Sequence, residues 1–181
     1  MEQNELDIVL ALLKNRELHV RALSKMLSIP HSTISRAMKR LLNKNVVDFR
    51  FEGKNKVFRL KKSIETMNYA YMAEHFKLLK LFEAYPFTSV LIESIKAKVN
   101  ERLIIIFGSF AKFTANKDSD IDIFIETADR KVKDEIKSIN SRLSIKLGKF
   151  DKDSLLVKEI IKDHIIVKGV EYYYEKNKIF D

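Results

Sequence analysis

The chain has 181 residues, 46% of them hydrophobic, with no cysteine and a net charge of +9. This length allows one or two domains with a real core, and the lack of cysteine excludes disulfides and cysteine-ligated zinc. No stretch approaches the roughly 20 apolar residues of a membrane span. The opening MEQNELDIVLALLKNRE also lacks the basic start and cleavage site of a secretion signal, so a cytoplasmic protein with no membrane partner is expected.

The charge is unevenly placed. Residues 1–62 carry 14 Lys and Arg against 6 Asp and Glu, whereas the other 119 hold 20 against 19. A generally lysine-rich surface would explain the lysines but not this asymmetry; a polyanion-binding module at the N-terminus explains both.

Residues 4–14 place Leu6, Ile8, Val9, Leu10, Leu12 and Leu13 in a helix with a wide buried face. A second helix is expected over about Val20–Leu27, and Pro30 suits a turn or a helix opening. A third, over 31–43, has Ile34, Met38, Leu41 and Leu42 on one stripe and Ser35, Arg36, Lys39 and Arg40 outside it. VVDFRFE (46–52) and KVFRLKK (56–62) read as strands of a hairpin turning at Gly53-Lys54-Asn55. The amphipathic stretch 63–85, with Met67, Tyr71, Met72, Phe76, Leu79 and Phe82, is a connecting helix. It packs either on its own chain or against a second copy in a homodimer. Pro86 breaks it, and a helix over 86–100 follows. Then come a strand at 102–107, a motif loop, a strand at 120–125, a helix over 128–141, a strand at 143–147 and a helix over 153–163. The tail from His164 reads as a short extended piece and a helix from near Gly169. Strands interleaved with helices indicate an α/β layer.

The order of elements in residues 5–62, a short helix, a tight turn, a Ser/Thr-rich helix with basic outward residues and a basic hairpin, resembles the winged helix-turn-helix of prokaryotic transcription regulators. The resemblance implies double-stranded DNA as partner. A recognition helix enters a major groove about 12 Å wide and reads it from its first turns. His31, Ser32, Thr33, Ser35 and Arg36 would read bases there. Lys39 and Arg40 would reach phosphates, and Arg50, Lys54 and Lys56 would carry the wing along the backbone or in the minor groove. The alternative use of such a domain is as a protein-interaction module with a solvated basic face.

IIIFGSFAKFTANKDSDIDIFI (104–125) has Gly108-Ser109 ending one apolar strand and Asp120-Ile121-Asp122 opening the next. Alternate strand residues share a face, so the two carboxylates project together while Ile121 and Ile123 enter the core. Such a pair repels itself unless a cation joins it, and Mg²⁺ or Mn²⁺ takes oxygen ligands of this kind. Gly108 would let an anion approach the backbone, Ser109 adds a hydroxyl at a helix start, and Lys112 and Lys117 add positive charge beside it. Asp118, Asp120 and Asp122 also spell the start of a calcium loop, but Ile123 and Asp129 stand where that loop needs Gly and Glu.

The segment resembles the signature of the polymerase-β-like nucleotidyltransferases, particularly the minimal prokaryotic forms. It implies metal at Asp120 and Asp122, an NTP substrate or ligand, and two-metal chemistry. Lys112 stands where that family commonly has arginine, and Phe113 where it has glycine, which is expected to narrow the phosphate site. Catalytic members carry a third carboxylate on a neighbouring strand. Here that strand is LSIKL, with Ser144 and Lys146 on its polar face. Lys146 is placed at the acid's position, ion-pairing Asp120 or Asp122, unless Asp151 and Asp153 supply the acid from a longer strand.

The expected fold class is α+β: a winged helix-turn-helix over 1–62, a connecting helix over 63–85, and an α/β nucleotidyltransferase fold with a small mixed sheet over 86–181. The leading functional reading is a Mg²⁺-dependent nucleotidyltransferase brought to DNA and acting on an acceptor hydroxyl. The second is a transcription regulator whose transferase domain senses nucleotide or mediates assembly without catalysis. The third, since some minimal transferases act as antitoxins, makes the acceptor a tyrosine of a partner protein. His19, His31, His75 and His164 have no metal-ligand spacing.

Overall fold

The computed structural model describes residues 2–180 and divides into two compact units, one reaching to Phe76 and one running from Lys77 to Ile179. The division falls within a single long helix.

The first unit begins with α1 (Gln3–Asn15), β1 (Glu17–His19), α2 (Val20–Leu27) and α3 (His31–Asn43), followed by β2 (Val47–Glu52), β3 (Asn55–Leu60) and the start of α4 (Ile64–Ala84). Helix α1 buries Ile8, Val9 and Leu12, and α3 buries Ile34, Ala37, Met38 and Leu41. These are the stripes that a 3.6-residue period requires. The antiparallel sheet has the order β1-β3-β2. Strand β1 is unforeseen, because three residues are too few to show alternation. The hairpin turn is Gly53-Lys54 rather than three residues, since Glu52 and Asn55 still pair across it. Gly53 takes φ 59° there, as a two-residue hairpin turn demands.

Glu5 on α1 is only 1% exposed. It accepts hydrogen bonds from Arg40 Nε at 2.7 Å, Lys44 Nζ at 2.9 Å and Tyr69 Oη at 3.4 Å, and Arg40 also pairs with Glu2. Arg40 therefore does not stand free on the outer face of α3 as expected. A buried carboxylate needs its cations close, and α3 turns Arg40 toward α1. Burial opposes the charge on Glu5, but the hydrogen bonds and charges of Lys44 and Arg40 outweigh it and hold its pKa below the ordinary carboxylate value. A lowered folded-state pKa stabilises the fold above the unfolded value, and this contribution is lost as pH falls through the folded one. Glu5→Gln is expected to cost about 2 kcal/mol at neutral pH, with the gap closing as pH falls below roughly 4. Urea melts at the two pH values check this; a gap of constant size would show that the charge is not what stabilises.

The second unit runs from the end of α4 through α5 (Phe87–Lys98), β4 (Ile104–Phe107), α6 (Gly108–Ala111), β5 (Ile121–Glu126) and α7 (Lys131–Lys137). It closes with β6 (Leu143–Gly148), α8 (Leu155–Lys162), β7 (His164–Lys168) and α9 (Val170–Asn177). The extended piece expected after His164 is a full strand, β7, that completes a four-stranded sheet of order β6-β5-β4-β7. Strands β5 and β6 are parallel, joined by a crossover through α7, and the other pairs are antiparallel, which makes the sheet mixed. One face carries Ile104, Ile106, Ile121, Ile123, Ile125, Ile145 and Ile165 into a core shared with α5 and α7. The opposite face carries an aromatic chain, Phe124 to Phe150 at 6.0 Å, Phe150 to Tyr173 at 5.5 Å and Tyr173 to His164 at 4.6 Å between centroids. Asp122 emerges on this same face, half-buried. Among the described residues no helix is long and apolar enough to cross a membrane.

Candidate functional site

In the first unit, His31, Ser32, Arg36 and Lys39 are exposed along α3, while Thr33 and Ser35 are half-buried. The hairpin presents Arg50, Lys54 and Lys56, also exposed. Between helix and hairpin lies a groove of about 610 Å³ bordered by His31, Ser35, Lys39, Lys54 and Lys56, together with His19 and Arg21. Neither was anticipated: His19 ends β1, a strand too short to show in the sequence pattern, and Arg21 stands at the start of α2 directly after it. Lys56 Nζ lies 4.0 Å from the centroid of the Phe49 ring, which holds it in place. Arg50 is engaged by Glu17 at 2.9 Å, so one wing cation is partly neutralised by its own chain.

In the second unit the candidate site forms where β4 ends. Phe107 pairs with Asp122 across the antiparallel ladder, and the chain then turns at Gly108 with φ 70°. A methyl group on Gly108 would collide with Asp122 Oδ2, so the carboxylate lies directly against the glycine α-carbon. Asp122 is half-buried, Asp120 is exposed just ahead of β5, and Ile121 and Ile123 between and beyond them are fully buried. Ser109 is half-buried in the turn, and Lys112 and Lys117 are exposed. Lys112 Nζ lies 3.6 Å from Glu159 Oε1 on α8, an ion pair that no sequence spacing could have revealed. Phe113 takes φ 57°, the conformation that favours glycine. It lines a depression with Lys80, Glu83 and Ala84 at the end of α4.

The strand register revises the expected third-acid position. Ser144 is the partner of Asp122 on β6, whereas Lys146 pairs with Phe124, one pleat further along. Lys146 is exposed, and among the described residues it makes no ion pair with Asp120 or Asp122. Asp151 and Asp153 cannot complete the pair either. Because β5 and β6 are parallel, residues beyond Gly148 lie at the end of the sheet where β5 finishes. Phe150 donates its backbone N–H to Glu126 there at 3.0 Å, and Glu126 lies four strand residues, on the order of 13 Å, beyond Asp122. Among the described residues there is no group of three acidic or histidine side chains able to hold a metal ion. Asp122 against the glycine turn, with Asp120 exposed two residues ahead of it, offers carboxylate oxygens of the kind that one Mg²⁺ takes when substrate phosphates and water complete its shell. They do not supply ligands for two.

A family model described as "Nucleotidyltransferase domain" matches residues 89–179. A second, described as "Sugar-specific transcriptional regulator TrmB", matches residues 1–63. Neither a curated protein nor a solved structure matches the chain.

Proposed function

Because the chain belongs to the nucleotidyltransferase-domain family, with a winged helix-turn-helix of the TrmB regulator type ahead of that domain, we propose that it binds a Mg²⁺–nucleoside triphosphate and transfers the nucleoside monophosphate to an acceptor hydroxyl, releasing pyrophosphate and the hydroxyl proton, while held on double-stranded DNA. The observation that carries this reading is the Asp122 carboxylate packed on the α-carbon of Gly108, which sets an acidic ligand beside a turn open to phosphate. Asp120 and Asp122 would hold the cation, and Ser109 Oγ would donate to a phosphate oxygen. When bound, Mg²⁺ would offset phosphate charge and favour ionisation of the attacking hydroxyl. Lys117 would meet the outer phosphates, and Lys112 would do so on exchanging Glu159 for phosphate.

The register favours a second reading as well. Ser144 stands beside Asp122 where a third acid would assist the attacking hydroxyl, so a DNA-binding regulator that senses nucleotide without turning it over is the alternative. Incubating the full chain with α-labelled NTP, Mg²⁺, duplex DNA and cell lysate separates them. Label transferred to DNA, protein or another acceptor supports transfer; label retained only as bound NTP supports sensing. Absence of any Mg²⁺-dependent binding would remove both.

DNA binding by the full chain should weaken with salt, log K falling against log salt with a slope of about −0.9 per phosphate contacted. Arg36→Ala should weaken binding and relax sequence preference, and Lys54→Ala should weaken it evenly across sequences while flattening the slope. Titrations at several salt concentrations measure both, and salt-independent affinity would count against the groove as a DNA surface.

A further inference from the structure

Arg142, immediately before β6, reaches across to the loop that leads into β5. Its Nη2 donates to the carbonyl oxygen of Ser119 at 2.7 Å and its Nε donates to the same oxygen at 3.1 Å. Its own carbonyl accepts the N–H of Ile121 at 2.8 Å. Ser119 and Ile121 flank Asp120, so one residue pins both peptide groups that attach Asp120 to the chain. Arg142 is itself held, its backbone N–H donating to Asn140 Oδ1 at 2.9 Å and its guanidinium lying 5.5 Å from the Phe87 ring centroid. The loop it grips is closed on itself by Asn116, whose N–H donates to Ser119 Oγ at 2.9 Å. Among the described residues Arg142 makes no ion pair, so its fork is committed to a backbone carbonyl rather than to an acid.

We propose that Arg142 is a positioning residue that fixes the Asp120 backbone, and through it the separation of the two carboxylates that hold the cation. The proposal rests on the nucleotide-site reading above. A planar fork delivers two N–H groups to one oxygen, and lysine delivers one donor on a flexible stem. The requirement is geometric: a ligand set must be held within about 0.5 Å to work, and Asp120, exposed, lies one residue ahead of the β5–β6 register that begins at Ile121.

The test compares the full-length wild type with Arg142→Ala, Arg142→Lys and the exposed control Lys133→Ala on α7. Hydrogen exchange across 116–121 reads the clamp, and titration with Mn²⁺ and ATP reads the site. Arg142→Ala should exchange at least about tenfold faster in that segment alone and bind Mn²⁺–ATP at least about tenfold more weakly. Arg142→Lys should restore part of both, and Lys133→Ala should exchange and bind as wild type. If Arg142→Ala does not fold, the lysine variant decides. Unchanged exchange overturns the proposal, as does faster exchange with Mn²⁺–ATP affinity no lower than in the control. A wild type that binds no Mn²⁺–ATP would instead overturn the nucleotide-site reading, with the exchange rates still deciding the clamp.

Discussion

Gly108→Ala is expected to lower Mg²⁺-dependent nucleotide affinity by at least about a hundredfold, although it removes no ligand. The backbone at this position has φ 70°, which costs an L-residue with a side chain about 1–2 kcal/mol. The added methyl would meet Asp122 Oδ2. That atom is the far end of a side chain, so the collision is relieved by rotating the carboxylate off the turn rather than by breaking the sheet. The fold should therefore survive with its melting temperature lowered by roughly a few degrees, while the acid moves away from where a phosphate and a cation meet. Asp122→Asn makes the complementary change, keeping the shape and removing the charge, and should lose the same binding without the thermal penalty. Calorimetric titration of both variants with ATP, with and without Mg²⁺, decides the matter. If Gly108→Ala binds as wild type does, the contact between turn and carboxylate has no part in nucleotide binding.

What the sequence made legible was whatever a periodicity or a spacing encodes. The stripes of α1 and α3 are buried as their 3.6-residue repeat implied. Ile121 and Ile123 enter the core on one side of β5 while Asp122 emerges on the other. Period two says which face a residue occupies but not which residue stands across from it, so Lys146 is the residue expected at the third-acid position, and only the β5–β6 register puts Ser144 there instead. Strand direction was hidden in the same way: Asp151 and Asp153 follow soon after the LSIKL strand and could have belonged to it, yet a parallel pair carries them to the far end of the sheet from Asp122. Arg40 has the helical phase of an outward residue. Its pairing with Glu5 depends on a helix 35 positions earlier, which no local window contains. Arg142 escaped notice because a lone arginine before a strand has no pattern; its meaning lies in two contacts with Ser119 and Ile121.

The second large effect is a gain. Ser144→Asp is expected to bind Mn²⁺ at least about tenfold more tightly than wild type, and Lys146→Asp to gain little. Residues paired across neighbouring strands lie about 4.8 Å apart, and Ser144 is the partner of Asp122. A carboxylate there shares a cation with Asp122 directly. Position 146 is two residues further along, roughly 6.6 Å at about 3.3 Å per residue, with the buried Phe124 rather than an acid opposite it. Removing the Lys146 charge acts only through space. At about 8 Å in a medium close to water this is worth roughly 0.5 kcal/mol, a factor of two or three. The serine variant should also show a cost that the lysine variants do not. Without metal, a third carboxylate about 4 Å from Asp122 repels it by up to about 4 kcal/mol at an effective dielectric near 20, so its melting temperature should drop in EDTA. Cation binding removes that repulsion, and by linkage the same free energy appears as tighter affinity, so Mn²⁺ should restore the melt. Ser144→Asp should then be the variant on which labelled NTP shows transfer if the wild type shows only binding. A larger gain from Lys146→Asp than from Ser144→Asp would place the third acid one pleat away from Asp122 and overturn the register on which this expectation stands.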